Sequence, residues 1–305
     1  MKREVAATYV GFSQNGEIID SFNLHEGDTL KIQEQSKKEK QKKYLKNQTE
    51  LGKLERELGG FYMLYYSEKL FDGVVSDNHI ARIIYLATFI EYNTNRLVFQ
   101  EHGKTNKIFR ERDISIVLGL ERRTYNDFKK EMTTNGVMEF KEDGIYLSST
   151  YFNKGEEKHK KQFFIKMYID TIRQLYEQTS TRQHKTLGYL FRLIPFIEYE
   201  YNILTFSPNT DNRIKERAMT KNDIATLLDV DIKTYEKIEK QLLKLTITFM
   251  GQKYPILGAI YIKKFDVDEG IIRKANCYSV NPLIYSSISD CEMINEISKK
   301  LWLKL

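Results

Sequence analysis

The sequence predicts an α+β protein, mainly helical, in which one helix-rich unit is written twice behind an N-terminal β-hairpin and a basic helix. Three observations carry that reading. FIEYNTNRLVF begins at Phe89 and FIEYEYNILTF at Phe196, 107 positions later. A second set of matches lies 110 apart: Asp113-Ile114 with Asp223-Ile224, Leu118 with Leu228, Thr124-Tyr125 with Thr234-Tyr235, Lys130 with Lys240. The order of helix-like and strand-like patterns around both sets is the same. The change of offset places a three-residue insertion in the loop SPNTDNR. A fixed order of blocks with one insertion is what an internal duplication leaves.

The elements follow in order. TYVGFS and IIDSF flank Asn15-Gly16, a strong hairpin signal because both turn residues tolerate positive φ. HEGDTLKIQ reads as a further turn and strand. Residues 34–57 are charged and almost free of turn formers, which predicts a helix that Gly59-Gly60 ends. FYMLYY is a short strand. From Asp77, apolar residues at 80, 83, 84, 87 and 90 have helical spacing. NRLVFQ is a strand, RERDISIVLGL and ERRTYNDFKKEMTTNG are two short helices, and VMEF and IYLSS form a hairpin with its turn at Asp143-Gly144. FFIKMYIDTIRQLYEQ, residues 163–178, is expected as an amphipathic connector helix. The second copy then begins with KTLGYLFRLIPFIEY, a helix that Pro195 is expected to kink. A short strand follows, then the helices of TKNDIATLLDVDIKTYEKIEKQLLKL, then the strands TITFMGQ, ILGAIYIKKF and ANCYSVNP. The expected division is 1–60 hairpin and basic arm, 61–155 first unit, 156–184 connector, 185–305 second unit.

Composition bounds the function. The chain has 305 residues, 41% hydrophobic and 30% charged, a globular balance. The longest apolar runs are too short to span a bilayer, and MKREVAATYV has no continuous apolar stretch, so no secretory signal is expected. Two late cysteines, Cys277 and Cys291, make no disulfide framework, so a cytoplasmic setting is expected. Net charge is +6, and seven lysines against Glu34 and Glu39 put +5 of it between residues 31 and 46. That segment, with Lys37, Lys38, Lys42 and Lys43, is either a solvated helix face or an arm that seeks phosphates.

Helix, strand, helix, short turn, helix, hairpin is the order of a winged helix-turn-helix. Gly119 and Asp229 mark the turns, and the helix after each turn can enter a major groove. Its inward residues are expected to be Tyr125, Phe128 and Met132 in copy one, and Tyr235, Ile238 and Leu242 in copy two. Arg122, Arg123, Thr124, Asn126, Lys129 and Lys130 then face outward in copy one. Lys233, Thr234, Glu236, Lys237 and Lys240 do so in copy two. Arginine can pair bidentately with guanine and asparagine with adenine. Lys141 in the first wing, and Lys263, Lys264, Arg273 and Lys274 in the longer second one, are candidate phosphate contacts. Lysines on a solvated edge strand are the plainer alternative. Head-to-tail copies with different outward residues lead to the expectation of a non-palindromic site of two unlike halves, bound by a monomer.

Enzyme signatures are absent. The five histidines are scattered, with no His-x-His and no cysteine–histidine metal spacing. No phosphate-binding glycine loop occurs. No catalytic residue, metal or cofactor is expected, and no membrane partner.

The run HIARIIYLATFIEY through DISIVLGLERRTYNDFKKEMTTNGVMEFKEDGIYLSSTYFNKG resembles the winged-helix replication proteins of plasmids and phages of low-GC Gram-positive bacteria. Ser279-Val280-Asn281-Pro282-Leu283-Ile284-Tyr285 is similar to the pattern that follows the wing in those proteins, ahead of a further helix. The resemblance covers about residues 60–305 and implies a sequence-specific binder of double-stranded DNA on a mobile element, initiating replication beside host or phage replication proteins. A transcription regulator of the element and a protein-interaction adaptor built from winged helices are the alternatives.

Overall fold

The computed structural model describes the backbone of residues 5–12, 18–25, 29–100, 106–156, 163–199, 202–206, 218–266, 271–288 and 290–302. Side chains are described within 40–100, 106–156, 163–199, 202–206, 218–258, 278–288 and 290–299. The chain divides into two compact units, Met1–Gly52 and Lys53–Leu305.

In the first unit, β1 (Val5–Phe12) pairs antiparallel with β2 (Ile18–His25). The Asn15-Gly16 turn lies outside the described residues. α1 (Thr29–Glu57) follows, and its last five residues belong to the second unit. The strand expected in TLKIQ is helix. Extending a formed helix adds one hydrogen bond per residue fixed, whereas a lone strand needs a ladder partner.

The second unit mixes helices with small antiparallel sheets. Gly59 (φ 77°) and Gly60 (φ 80°) take left-handed conformations that let their N–H groups donate to Arg56 O (3.1 Å) and Glu55 O (2.7 Å), closing α1. β3 (Phe61–Tyr66), a 3₁₀ turn (Leu70–Gly73) and α2 (Asp77–Leu86) come next. Then follow β4 (Val98–Phe99), β5 (Lys107–Ile108), α3 (Glu111–Val117), α4 (Arg122–Thr134), β6 (Met138–Lys141), β7 (Gly144–Leu147) and β8 (Phe152–Asn153). The second half runs β9 (Phe163–Tyr168), α5 (Ile169–Glu177), α6 (His184–Arg192), extended residues 203–205, α7 (Lys221–Leu227) and α8 (Ile232–Leu242). It ends with β10 (Thr246–Phe249), β11 (Gln252–Pro255), β12 (Leu257–Asp266), β13 (Ile271–Val280), β14 (Tyr285–Ser286) and α9 (Cys291–Trp302).

The two halves repeat in their bonding as well as in their order. Ile90 bridges Leu97, and Ile197 bridges Leu204. Asn95 (φ 60°) and Asn202 (φ 55°) turn the chain in left-handed conformations, which asparagine tolerates. Their buried side-chain amides donate to Phe152 O (2.6 Å) and Tyr285 O (3.0 Å). Leu97 N donates to Ile145 O and Leu204 N to Tyr278 O, both at 2.8 Å, which sews the short strand to the later hairpin. The helices pack alike as well. His79 Nδ1 lies 3.0 Å from Glu131 Oε2, and at the matching sites Thr186 donates to Gln241 at 2.7 Å.

Three further expectations are corrected. Residues 163–168 form a strand, because this aromatic and β-branched stretch supplies the ladder partner that β3 needs; only 169–177 is helix. Pro195 does not kink a helix: α6 has already ended at Arg192, and Pro195 opens a 3₁₀ turn (Ile194–Phe196) that copy one forms at Ala87–Phe89 without proline. The first hairpin turns at Glu142-Asp143, since Gly144 is paired with Lys141. TITF pairs with QKYP in a hairpin of its own, β10–β11. The counterpart of β6–β7 is β12–β13, the strands that carry Lys263, Lys264, Arg273 and Lys274: Met138↔Leu147 corresponds to Leu257↔Val280, and the Ser148 N–Val137 O bond to Asn281 N–Ile256 O, both 2.9 Å. The extra hairpin is held by α5, whose Gln174 both donates to Thr248 O (3.0 Å) and accepts from Thr248 N (2.7 Å), in the manner of a neighbouring strand.

Candidate functional site

Each half presents one helix whose inner side is apolar and whose outer side is polar. Tyr125, Phe128 and Met132 of α4 are buried, as are Tyr235, Ile238 and Leu242 of α8, as expected from their spacing. The turns before these helices pass through Gly119 (φ 61°) and Asp229 (φ 56°), 110 positions apart. A left-handed residue there ends α3 and α7 after seven residues and turns the chain into the next helix.

On α4, Arg122, Arg123, Asn126 and Lys130 are exposed, and among the described residues their side chains make no ion pair or hydrogen bond. Thr124 is half-buried. Lys129, expected to face outward with them, does not: its ammonium sits 2.6 Å from Glu111 and 4.5 Å from the centre of the Phe140 ring. That hydrogen bond holds the Glu111 carboxyl below its usual range. The same contact sets the first turn of α3 beside α4. Exposed Arg110 and Arg112 therefore extend the basic face, a contribution that the RERD run signals once the pairing of its Glu111 is known. No side chain caps the start of α4, so its first N–H groups are open to an anion.

On α8, Lys233, Lys237 and Lys240 are exposed beside exposed Glu236. Thr234 is committed: it donates to Asp231 at 2.6 Å while the Asp231 carboxylate caps the helix through Thr234 N (2.9 Å). Those two bonds pull the Asp231 pKa down. Glu239 is buried and takes a hydrogen bond from Tyr278 (2.6 Å) and an ion pair from Lys221 (2.7 Å). Burial, then Glu239, pushes the Tyr278 hydroxyl far above its usual pKa. The face of α8 is thus lysines and one acid, without arginine or an outward asparagine.

The hairpins differ more. Lys141 in the first is exposed but lies 3.1 Å from Glu139, next to an acidic tip of Glu142 and Asp143. In β12–β13, Lys263 stands opposite Lys274 and Lys264 opposite Arg273; their side chains lie outside the described ones. Lys42 and Lys43 are exposed on α1 with Lys40 and Lys46, whereas the side chains of Lys37 and Lys38 are not among those described. Among the described residues no group of three histidine, cysteine or acidic side chains could hold a metal ion, and no helix is long and apolar enough to cross a membrane. No protein-family model, curated protein or solved structure matches this chain.

Proposed function

We propose that the protein binds double-stranded DNA sequence-specifically through two winged helix-turn-helix units, with α4 and α8 as the groove-entering helices and β6–β7 and β12–β13 as the wings. One observation carries the reading. The outward side of α4 holds two arginines, an asparagine and a lysine that are exposed and uncommitted to any described partner, while every apolar residue of that helix is turned in. Exposed guanidinium and amide groups at the start of a projecting helix are the chemistry that reads guanine and adenine edges. The lysines of α8, of the second wing and of α1 are compact point charges by their chemistry, which suits phosphate contacts.

The role assigned is initiation of replication on a phage or plasmid, supported by the likeness of SVNPLIY to the pattern of such proteins and by the helix α9 that follows it. A gel shift with random duplex over a range of salt tests the first statement. Salt-sensitive background binding is expected. No binding, or binding indifferent to salt, defeats it and favours a protein-docking role. Sequencing bound genomic fragments tests the second: iterated repeats support initiation, and a lone promoter operator replaces it with regulation.

A further inference from the structure

The order of the copies along the chain suggests direct, head-to-tail half-sites. The contacts between the copies obey a different symmetry. β8 pairs with β3 through Met63↔Asn153 and Leu64↔Phe152, and β14 pairs with β9 through Lys166↔Ser286 and Met167↔Tyr285. The two sets differ by 103 in one strand and 133 in the other throughout, so β9 is the counterpart of β3. In the antiparallel β3–β9 ladder Met63 pairs with Lys166, its own counterpart. On either side, Tyr62 pairs with Met167, the counterpart of Leu64, and Leu64 pairs with Ile165, the counterpart of Tyr62. A ladder in register with itself has a two-fold axis through its centre.

The helices obey the same axis. α2 and α6 are counterparts 107 apart and pack on each other. At one end Asp77 is bound to Arg192 (3.1 Å). At the other end stand Tyr85 and His184, the counterparts of Arg192 and Asp77, with the Tyr176 ring stacked against both at 4.0 and 4.2 Å. α4 and α8 hang on α2 and α6 by matching contacts, so the axis relates them too.

We infer that one chain presents its two groove-entering helices as a symmetric dimer would, and that its DNA site is an inverted pair of half-sites. This rests on the DNA-binding reading above. An isologous arrangement meets the duplex with its two halves in opposite strand orientation. The halves are unequal in content: where α4 has Arg122, Arg123 and Asn126, α8 has Ile232, Lys233 and Glu236. Base preference is concentrated in the α4 half, and the inverted symmetry is hidden in a site that looks one-sided.

The test makes the hidden half visible. The triple variant Ile232→Arg, Lys233→Arg, Glu236→Asn gives α8 the outward residues of α4 at exposed positions. Wild type and variant each select from a random duplex library, with circular dichroism to verify folding. The wild type is expected to enrich one strongly determined half, and the variant an inverted repeat of it. A direct repeat, or an unchanged single half from a folded variant, overturns the inference while leaving DNA binding intact. A wild type that enriches nothing defeats the DNA-binding reading instead. Should the variant not fold, hydroxyl-radical footprinting of the wild type decides: protection of the two strands related by a dyad at the site's centre is expected, and protection repeated along one strand direction overturns the inference.

Discussion

Lys129 and Glu111 form an ion pair at 2.6 Å, and 110 positions later the same two sites hold Glu239 and Lys221 at 2.7 Å with the charges exchanged. The second half keeps the contact of the first with the signs exchanged. The contact ties the first turn of the short helix (α3 or α7) to the middle of the longer one (α4 or α8). The two pairs differ in burial: the Glu239 side chain is 8% exposed and that of Glu111 51%. Glu111→Gln is therefore expected to cost less than about 1 kcal/mol, as exposed pairs do. Lys221→Met leaves a buried carboxylate with Tyr278 alone and is expected to cost about 1–3 kcal/mol. Exchanging both partners in copy one, Glu111→Lys with Lys129→Glu, should restore near-wild-type stability. Urea denaturation of the three variants checks the order; equal costs for the two single variants would show that burial does not set them.

Arg122→Ala and Arg123→Ala should each weaken cognate-site binding by roughly 1–3 kcal/mol if they read bases. Lys129→Ala should weaken it less, since its ammonium is already held by Glu111. Affinity measured on the selected site against random duplex separates the two cases. An arginine loss that is uniform across sequences would reassign those residues to phosphates.

Removal of residues 1–46 takes away the exposed Lys40, Lys42, Lys43 and Lys46 but keeps the end of α1, where Glu55 is bound to Lys166 at 2.6 Å. The log–log salt dependence of binding should flatten by roughly 0.9 for each phosphate that the deleted lysines neutralise, with site preference kept. A collapse of preference at constant slope would mean that the arm reads bases.

Local pattern made most of the repeat unit legible. The inward residues of α4 and α8, the turn at Gly119 and Asp229, and the hairpins are all set by neighbours within a few positions. What the sequence concealed depends on distant partners. FFIKMY carries apolar spacing that suits a helix, and only β3, about a hundred residues earlier, makes it a strand. TITF reads as a strand from its own residues, but nothing local says that QKYP will pair with it or that Gln174 will hold its other edge. Lys129 looked outward because helix spacing cannot report an acid on the preceding helix. The two-fold axis was in the sequence only as offsets, and offsets do not distinguish translation from rotation.

His184 is buried where α2 meets α6, stacked on Tyr176, with the Arg82 charge facing it. Burial and then Arg82 depress its pKa to about 4. A histidine whose folded pKa lies below its unfolded value of about 6.5 contributes stability that is whole above that value. It is lost as pH falls from there towards 4, where the unfolded chain binds the extra proton. Stability should drop on the order of 1–2 kcal/mol between pH 7 and pH 5 from this group. His79, whose pKa burial also lowers, adds in the same direction. His184→Gln should flatten the profile of urea midpoints in that window. A profile unchanged by the substitution would place the acid sensitivity elsewhere.

Gly188 lies tight against α2: a methyl group on it would collide with the Asp77 carbonyl oxygen and the backbone atoms behind it. Backbone cannot swing aside as a long side chain can. Its counterpart Ala81, 107 positions earlier, is buried and already carries the methyl, so the two faces of the axis are not equally tight. Gly188→Ala should gain roughly 1 kcal/mol in helix propensity and lose more to the forced separation, for a net cost of about 1–3 kcal/mol. Because α4 is held on α2 and α8 on α6, the variant should also misplace α4 relative to α8. Binding to the full site should then fall by more than binding to a duplex carrying only the α4 half. Equal losses on the two duplexes would mean that the crossing sets stability alone and not the placement of the two helices.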